Sequence, residues 1–190
     1  MLVPALEAED APLLMRPYFA GGDPGPILAT MAHVPELTEV AMPFLGAALG
    51  ASSVDFRTKE IVIVRTSALL GCRYCIDSHT TVALDSGLSF RQVQALRELA
   101  AYVSDDDLAP VFPSAQERAL ISWIDAVAFG RGAIAAPVNE AIKANYADYE
   151  IVEVTVLIGA TMLLNRYATA LQLPVGASTL ERLAVEGFAA

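Results

Sequence analysis

Apolar residues in this chain recur at helical spacing, and each run is bracketed by residues that start or stop a helix. Pro35 opens "PELTEVAMPFLGAALG", which ends on Gly50, and Pro26 opens a shorter run through about His33. Ser89 precedes "FRQVQALRELAAYV", and Ser114 with Glu117 three residues later has the form of a capping box before "AQERALISWIDAVAFG". Pro137 opens "VNEAIKANY". Proline at a first helical position, a hydroxyl at the N-cap and glycine after the last turn are the ordinary punctuation of α-helices. A long helix is predicted from about residue 148 to 171, and a short one from near Ser178, which has Glu181 three residues on. No alternating apolar–polar pattern competes, so the expected fold is all-α.

One stretch is ambiguous. "DFRTKEIVIVRTSALLG" carries a β-branched centre that suits a buried strand. The helix is preferred, because apolar positions continue past Arg65 to Leu70 and a glycine follows. Pro43 is expected to kink or divide its helix, and the acidic "SDDD" at 104–107 reads as a turn. Residues 1–25, with prolines at 4, 12, 17 and 24, read as an irregular segment ahead of one helical domain over 26–190.

Composition narrows the classes. Twelve basic against 22 acidic residues give a net charge of −10, which disfavours nucleic acid and anionic membranes. The hydrophobic fraction is 55%, so a homo-oligomer that hides apolar surface between copies is expected. "MLVPALEAED" has neither the basic start nor the apolar core of a secretory signal, so a soluble, cytoplasmic protein is expected. In the most apolar region, 151–171, the longest charge-free stretch is 154–165, short for a bilayer span.

The chemistry concentrates in "GCRYCIDSHT", which holds both cysteines and one of the two histidines. Cys72, Cys75 and His79 stand at i, i+3 and i+7, one face of a helix. A Cys-x-x-Cys in a first turn meets free backbone N–H groups and the positive end of the helix dipole, which favour thiolate. His79, one turn beyond Cys75, is placed to exchange a proton with it. Helix-dipole logic favours Cys72 as the more acidic thiol, whereas proximity to His79 favours Cys75. Zinc lacks the second ligand pair that structural sites use, c-type haem needs histidine where Ile76 stands, and a thioredoxin fold needs strand–helix alternation. Glu60 precedes the apolar "IVIV"; alone it reads as a solvated helix residue paired with Arg57 or Lys59. In an antiparallel hairpin it lies about 16 Å from the Gly71 turn along its own helix.

Taken together, Glu60, eleven residues, Cys72-x-x-Cys75, three residues and His79 resemble the signature of alkylhydroperoxidase D-like proteins of the carboxymuconolactone decarboxylase superfamily. The specific likeness spans about residues 56–86. It implies an all-α helical bundle assembled as trimers, hexamers or related oligomers. It also implies a thiol-dependent peroxidase that works without cofactor or metal on a small hydroperoxide. Cys75 then matches the attacking thiol, Cys72 the resolving one, and His79 with Glu60 the proton relay. A lipoylated or thioredoxin-like dithiol partner would restore the thiols. Where some members carry histidine between the cysteines, this chain has Arg73 and Tyr74; Arg73 is a candidate for lowering a thiol pKa.

Two other readings stand beside this one: a decarboxylase-like lyase of the same superfamily, and a redox-sensing or metal-binding module without turnover. His33 reads as structural or surface, and Trp123 as core. Asn165 and Arg166 interrupt an apolar helix and suit a pocket lining, a subunit interface or a buried ion pair.

Overall fold

The computed structural model describes residues 1–188, which form eleven helices and no strand. In chain order these are α1 (Arg16–Phe19), α2 (Pro26–Met31), α3 (Pro35–Leu49), α4 (Phe56–Leu70), α5 (Arg73–Asp85) and α6 (Phe90–Glu98). They continue with α7 (Asp105–Leu108), α8 (Ala115–Ala128), α9 (Ala136–Asn145), α10 (Asp148–Leu171) and α11 (Ala177–Glu186). The architecture is the expected all-α bundle.

The ambiguous "IVIV" lies in α4, the central helix, which packs against α5, α6, α8 and α10. Every residue from 59 to 67 is buried, so the segment is covered all round, and that explains why it lacks a clean amphipathic period. Its ends decide the helical outcome. The Asp55 side chain accepts from the Thr58 N–H at 2.8 Å. At the other end Gly71 adopts φ +67°, and the Cys72 N–H returns to the Ser67 carbonyl at 3.0 Å. That Schellman closure needs a left-handed residue, which glycine supplies without strain.

A helix buried on all sides must satisfy its polar residues internally. Lys59 donates to the carbonyls of Ala48 and Gly50 and pairs with Glu153 at 3.0 Å. Arg65 grips Asp125 with two hydrogen bonds of 2.7 and 2.8 Å and donates to the carbonyls of Leu99 and Ala100. The Asp125 carboxylate also accepts from the Tyr102 N–H at 2.6 Å, holding that residue at φ +61°. One buried ion pair thus joins α4, α8 and the turn after α6.

Three local expectations need correction. Pro43 does not divide α3, which runs unbroken through it; Pro43 and Glu39 are exposed, so the carbonyl freed by proline meets water. The "SDDD" stretch makes a helical turn, α7, with Ser104 capping the Asp107 N–H and Leu108 buried beneath it. Ser114 accepts from the Glu117 N–H, supplying one half of the expected box. The short last helix expected from near Ser178 is α11, which starts one residue earlier at Ala177.

α10 is long and apolar enough to cross a bilayer by length and composition. It packs instead as a core helix against α3, α4, α5, α8 and α9. The N-terminal segment lies along α2 and the end of α10. Leu2 donates to the Leu171 carbonyl, Leu6 to the Ala29 carbonyl, and His33 meets the Pro4 carbonyl at 2.9 Å. Met15 and Phe19 bury against Ala29 and Ala32.

Candidate active site

Gly71 reverses the chain so that α5 runs back along α4. Glu60 stands eleven residues before that turn and His79 eight after it, so the two meet at nearly the same height. His79 Nδ1 lies 3.0 Å from Glu60 Oε2 and 3.3 Å from Oε1. The distance along α4 that seemed to separate Glu60 from the dithiol is recovered by the return of α5. An ionised carboxylate only accepts, so this pairing places hydrogen on Nδ1 and leaves Nε2 free to take a proton.

Cys72 is the N-cap of α5, and its Sγ accepts from the Cys75 N–H at 3.4 Å. The two Sγ atoms are 2.8 Å apart, and both cysteines are free and buried. The Cys72 thiol is lowered to about 6, chiefly by hydrogen bonding from the Cys75 side chain. Burial opposes the shift, while the Cys75 N–H, Thr169 and Asn165 assist it. The Cys75 thiol is pushed up by sharing its proton with Cys72, then by burial and by the Cys72 charge. Hydrogen bonding within the pair thus favours thiolate at the N-cap sulfur over the Cys75 sulfur.

Access divides the two sulfurs the other way. Cys75, Ser78 and His79 line a cavity of about 80 Å³, whereas Cys72 lies behind it, fully buried. Ile63, Thr161 and Asn165 complete the inner wall, and Ile27, Leu49, Tyr74 and Leu164 continue into an apolar groove of about 320 Å³. Burial, followed by the charge on Cys75, raises the Tyr74 phenol.

Arg73 does not serve the thiols. Its Nε binds Asp77 one turn on at 2.5 Å, with more than half of its side chain exposed. Asp77 is buried and also pairs with Arg97 of α6, so this cluster locks α5 to α6. Glu60 pairs with neither Arg57 nor Lys59: Arg57 binds Glu117, and Lys59 binds Glu153. Asn165 is a pocket residue, whereas Arg166 is exposed and so is not part of a buried ion pair. Trp123 packs against the core and donates to Thr155 at 3.1 Å.

Thr161 and Tyr74 are the site residues that the sequence reading missed. The available signal was Thr161 and Asn165 at i and i+4, two polar groups on the buried face of an apolar helix. Among the described residues no cluster of three or more His, Cys, Asp or Glu side chains is arranged to hold a metal ion.

Residues 35–112 match the model of the carboxymuconolactone decarboxylase family. No curated protein matches the chain. Among solved structures, the chain resembles a protein of unknown function from Agrobacterium tumefaciens, thought to be the antioxidant defence protein AhpD. The identity is 27%, over 77% of this chain and 95% of that one, with a TM-score of 0.67. The debrominase Bmp8, in a cysteine-to-alanine form holding 2,3,4-tribromopyrrole, is 21% identical over 98% of this chain and 97% of its own, with a TM-score of 0.76. An uncharacterised peroxidase-related protein from Ralstonia eutropha, with an AhpD core, is 16% identical over 94% and 93%, with a TM-score of 0.77. The last two likenesses concern the fold alone. The family match over residues 35–112 and the likeness of fold agree with the Glu60, Cys72, Cys75, His79 pattern: that part of the chain is similar to the carboxymuconolactone decarboxylase family, and the fold is alkylhydroperoxidase D-like.

Proposed function

We propose that this protein is a thiol-dependent peroxidase that reduces organic hydroperoxides with the Cys72–Cys75 pair. The observation that carries the proposal is the placing of Cys75 and His79 on one small cavity, with Cys72 2.8 Å behind Cys75 and Glu60 behind His79. His79 Nε2 takes the Cys75 proton while Glu60 holds the ring. The Cys75 thiolate attacks the terminal oxygen of the hydroperoxide. The O–O bond breaks, and its electron pair leaves with the alkoxide, which takes the proton back from His79. Cys75 is then a sulfenic acid. Cys72, already favoured as thiolate, displaces hydroxide from it, and the hydroxide leaves as water with one further proton. The balance is two thiols and one hydroperoxide giving a disulfide, an alcohol and water. An external dithiol, lipoylated or thioredoxin-like, reduces the disulfide.

The apolar groove beside the cavity favours an organic hydroperoxide over hydrogen peroxide. Cumene hydroperoxide is expected to be turned over with dihydrolipoamide as donor, and blocking the thiols by alkylation is expected to abolish the turnover. A rate that survives complete alkylation would instead support a lyase like the decarboxylase branch of the superfamily.

A second copy of this chain is the partner we propose for the outer face of α10. Tyr149, Val152, Val156 and Leu163 are exposed there along one face, opposite the buried one, and α3 adds exposed Leu37, Val40 and Phe44. An apolar stripe of this kind is costly to leave in water. Light scattering after size exclusion is expected to give a mass above that of one 20.1 kDa chain. Val156→Asp is expected to shift it toward the monomer, and a monomeric wild type would overturn the assignment.

A further inference from the structure

Two polar atoms beside the reactive sulfur have no partner. Thr161 Oγ1 and Asn165 Oδ1 are both buried without a hydrogen bond among the described residues. Both residues line the Cys75–His79 cavity from α10, one turn apart, and each is no more than 2% exposed. The Asn165 Nδ2 is engaged, donating to Ser67 Oγ at 3.0 Å, which fixes the amide from behind. Threonines in helices ordinarily return their hydroxyl to a carbonyl one turn back, as Thr155 does with Ile151 and Thr80 with Ile76. Thr161 leaves that bond unmade. A buried hydroxyl or amide oxygen left without a hydrogen bond destabilises the fold. Two such groups on the wall of one small cavity mark a place where a ligand's polar group completes the bonding.

We infer that Thr161 and Asn165 are the head-group anchor of this site. The inference rests on the peroxidase reading and specifies how the substrate is held. A monosubstituted hydroperoxide has one O–H donor, on its terminal oxygen, and an acceptor oxygen next to its organic group. Asn165 Oδ1 accepts from that O–H, and the Thr161 hydroxyl donates to the oxygen that bears the organic group. The organic group then extends past Tyr74 and Leu164 into the apolar groove, which shares both residues with the cavity. As Cys75 attacks the terminal oxygen and the O–O bond breaks, negative charge develops on the other oxygen. Thr161 donates to that atom, so its bond strengthens in the transition state.

The test compares two reagents on the reduced protein. Cumene hydroperoxide needs both anchors, whereas methyl methanethiosulfonate reacts with a thiolate and has no O–H or N–H to donate. Thr161→Val keeps the shape of the side chain and removes the hydroxyl; Asn165→Leu removes the amide. In each variant the ratio of the peroxide rate to the thiosulfonate rate is expected to fall by about tenfold or more. Thr161→Ser, which restores the hydroxyl, is expected to keep the wild-type ratio. An unchanged ratio overturns the anchor, including the case in which both rates fall together, because the residues would then act on the thiols alone. If no hydroperoxide oxidises the wild-type thiols while the thiosulfonate does, the peroxidase reading falls, and the anchor falls with it.

Discussion

Cys75→Ala is expected to abolish peroxide consumption, with kcat/KM falling by at least about three orders of magnitude, because the variant lacks the sulfur that faces the cavity. Cys72→Ala is expected to behave differently. It keeps the attacking sulfur and loses the resolving one, so it consumes one equivalent of hydroperoxide per chain and stops as a sulfenic acid that dimedone traps. The reverse pattern would exchange the two roles, and full turnover in the double variant would sink the dithiol mechanism. The same pair sets a pH profile. With the Cys72 thiol lowered to about 6, the resolving thiolate is lost as pH falls through that value and is complete above it. Disulfide formation after one equivalent of hydroperoxide is therefore expected to speed up between about pH 5 and 7 and then level off, well below the pH at which an ordinary thiol ionises. A rise centred near pH 8.5 would show that Cys72 is not favoured as thiolate.

Arg65→Met is expected to destabilise the fold by about 3–5 kcal/mol, because it leaves Asp125 buried beside a single backbone N–H. For a chain of this size that corresponds to a melting temperature lower by about 10 °C, read by circular dichroism. Asp125→Leu is expected to cost a similar amount, since it strands the guanidinium, and the double variant is expected to recover much of the loss. Losses that simply add in the double variant would show that the two side chains do not act as a pair. A single variant within about 1 kcal/mol of wild type would show that water reaches the ion pair and screens it.

Helix punctuation made most of the fold readable, because Pro26, Pro35, Ser89 and Pro137 act locally and their effects need no tertiary information. The fate of "IVIV" was harder to read for a physical reason. A helix covered on every side has no polar face, so periodicity loses its signal and only the caps remain. Pro43 and the "SDDD" turn depended on which side of a helix met solvent, and local sequence does not carry that. In the site, Cys72, Cys75 and His79 were legible from register within a single helix. Glu60 was legible only through its family spacing, since its partner lies across a hairpin. Arg73 sits between the thiols in sequence, yet its exposed side of α5 and the buried Asp77 draw it away. Thr161 is 86 residues from Cys75, and its role shows only when the bundle closes and its hydroxyl is left without a partner.

The cavity has two walls of different origin. Its reactive side belongs to α4, α5 and α10, the most deeply packed helices, where ion pairs and caps fix each functional atom. Its lining is completed by Ile27 of α2 and Leu49 of α3, and α2 carries an N-terminal segment tied down by a few backbone hydrogen bonds. Part of what a ligand meets is thereby carried by helices that hold none of the reactive groups. Exchanging the segment before α3 would change which molecules reach the sulfur while the sulfur's own chemistry stayed as it is. A scaffold divided in this way can acquire new substrates by altering its front without disturbing its core.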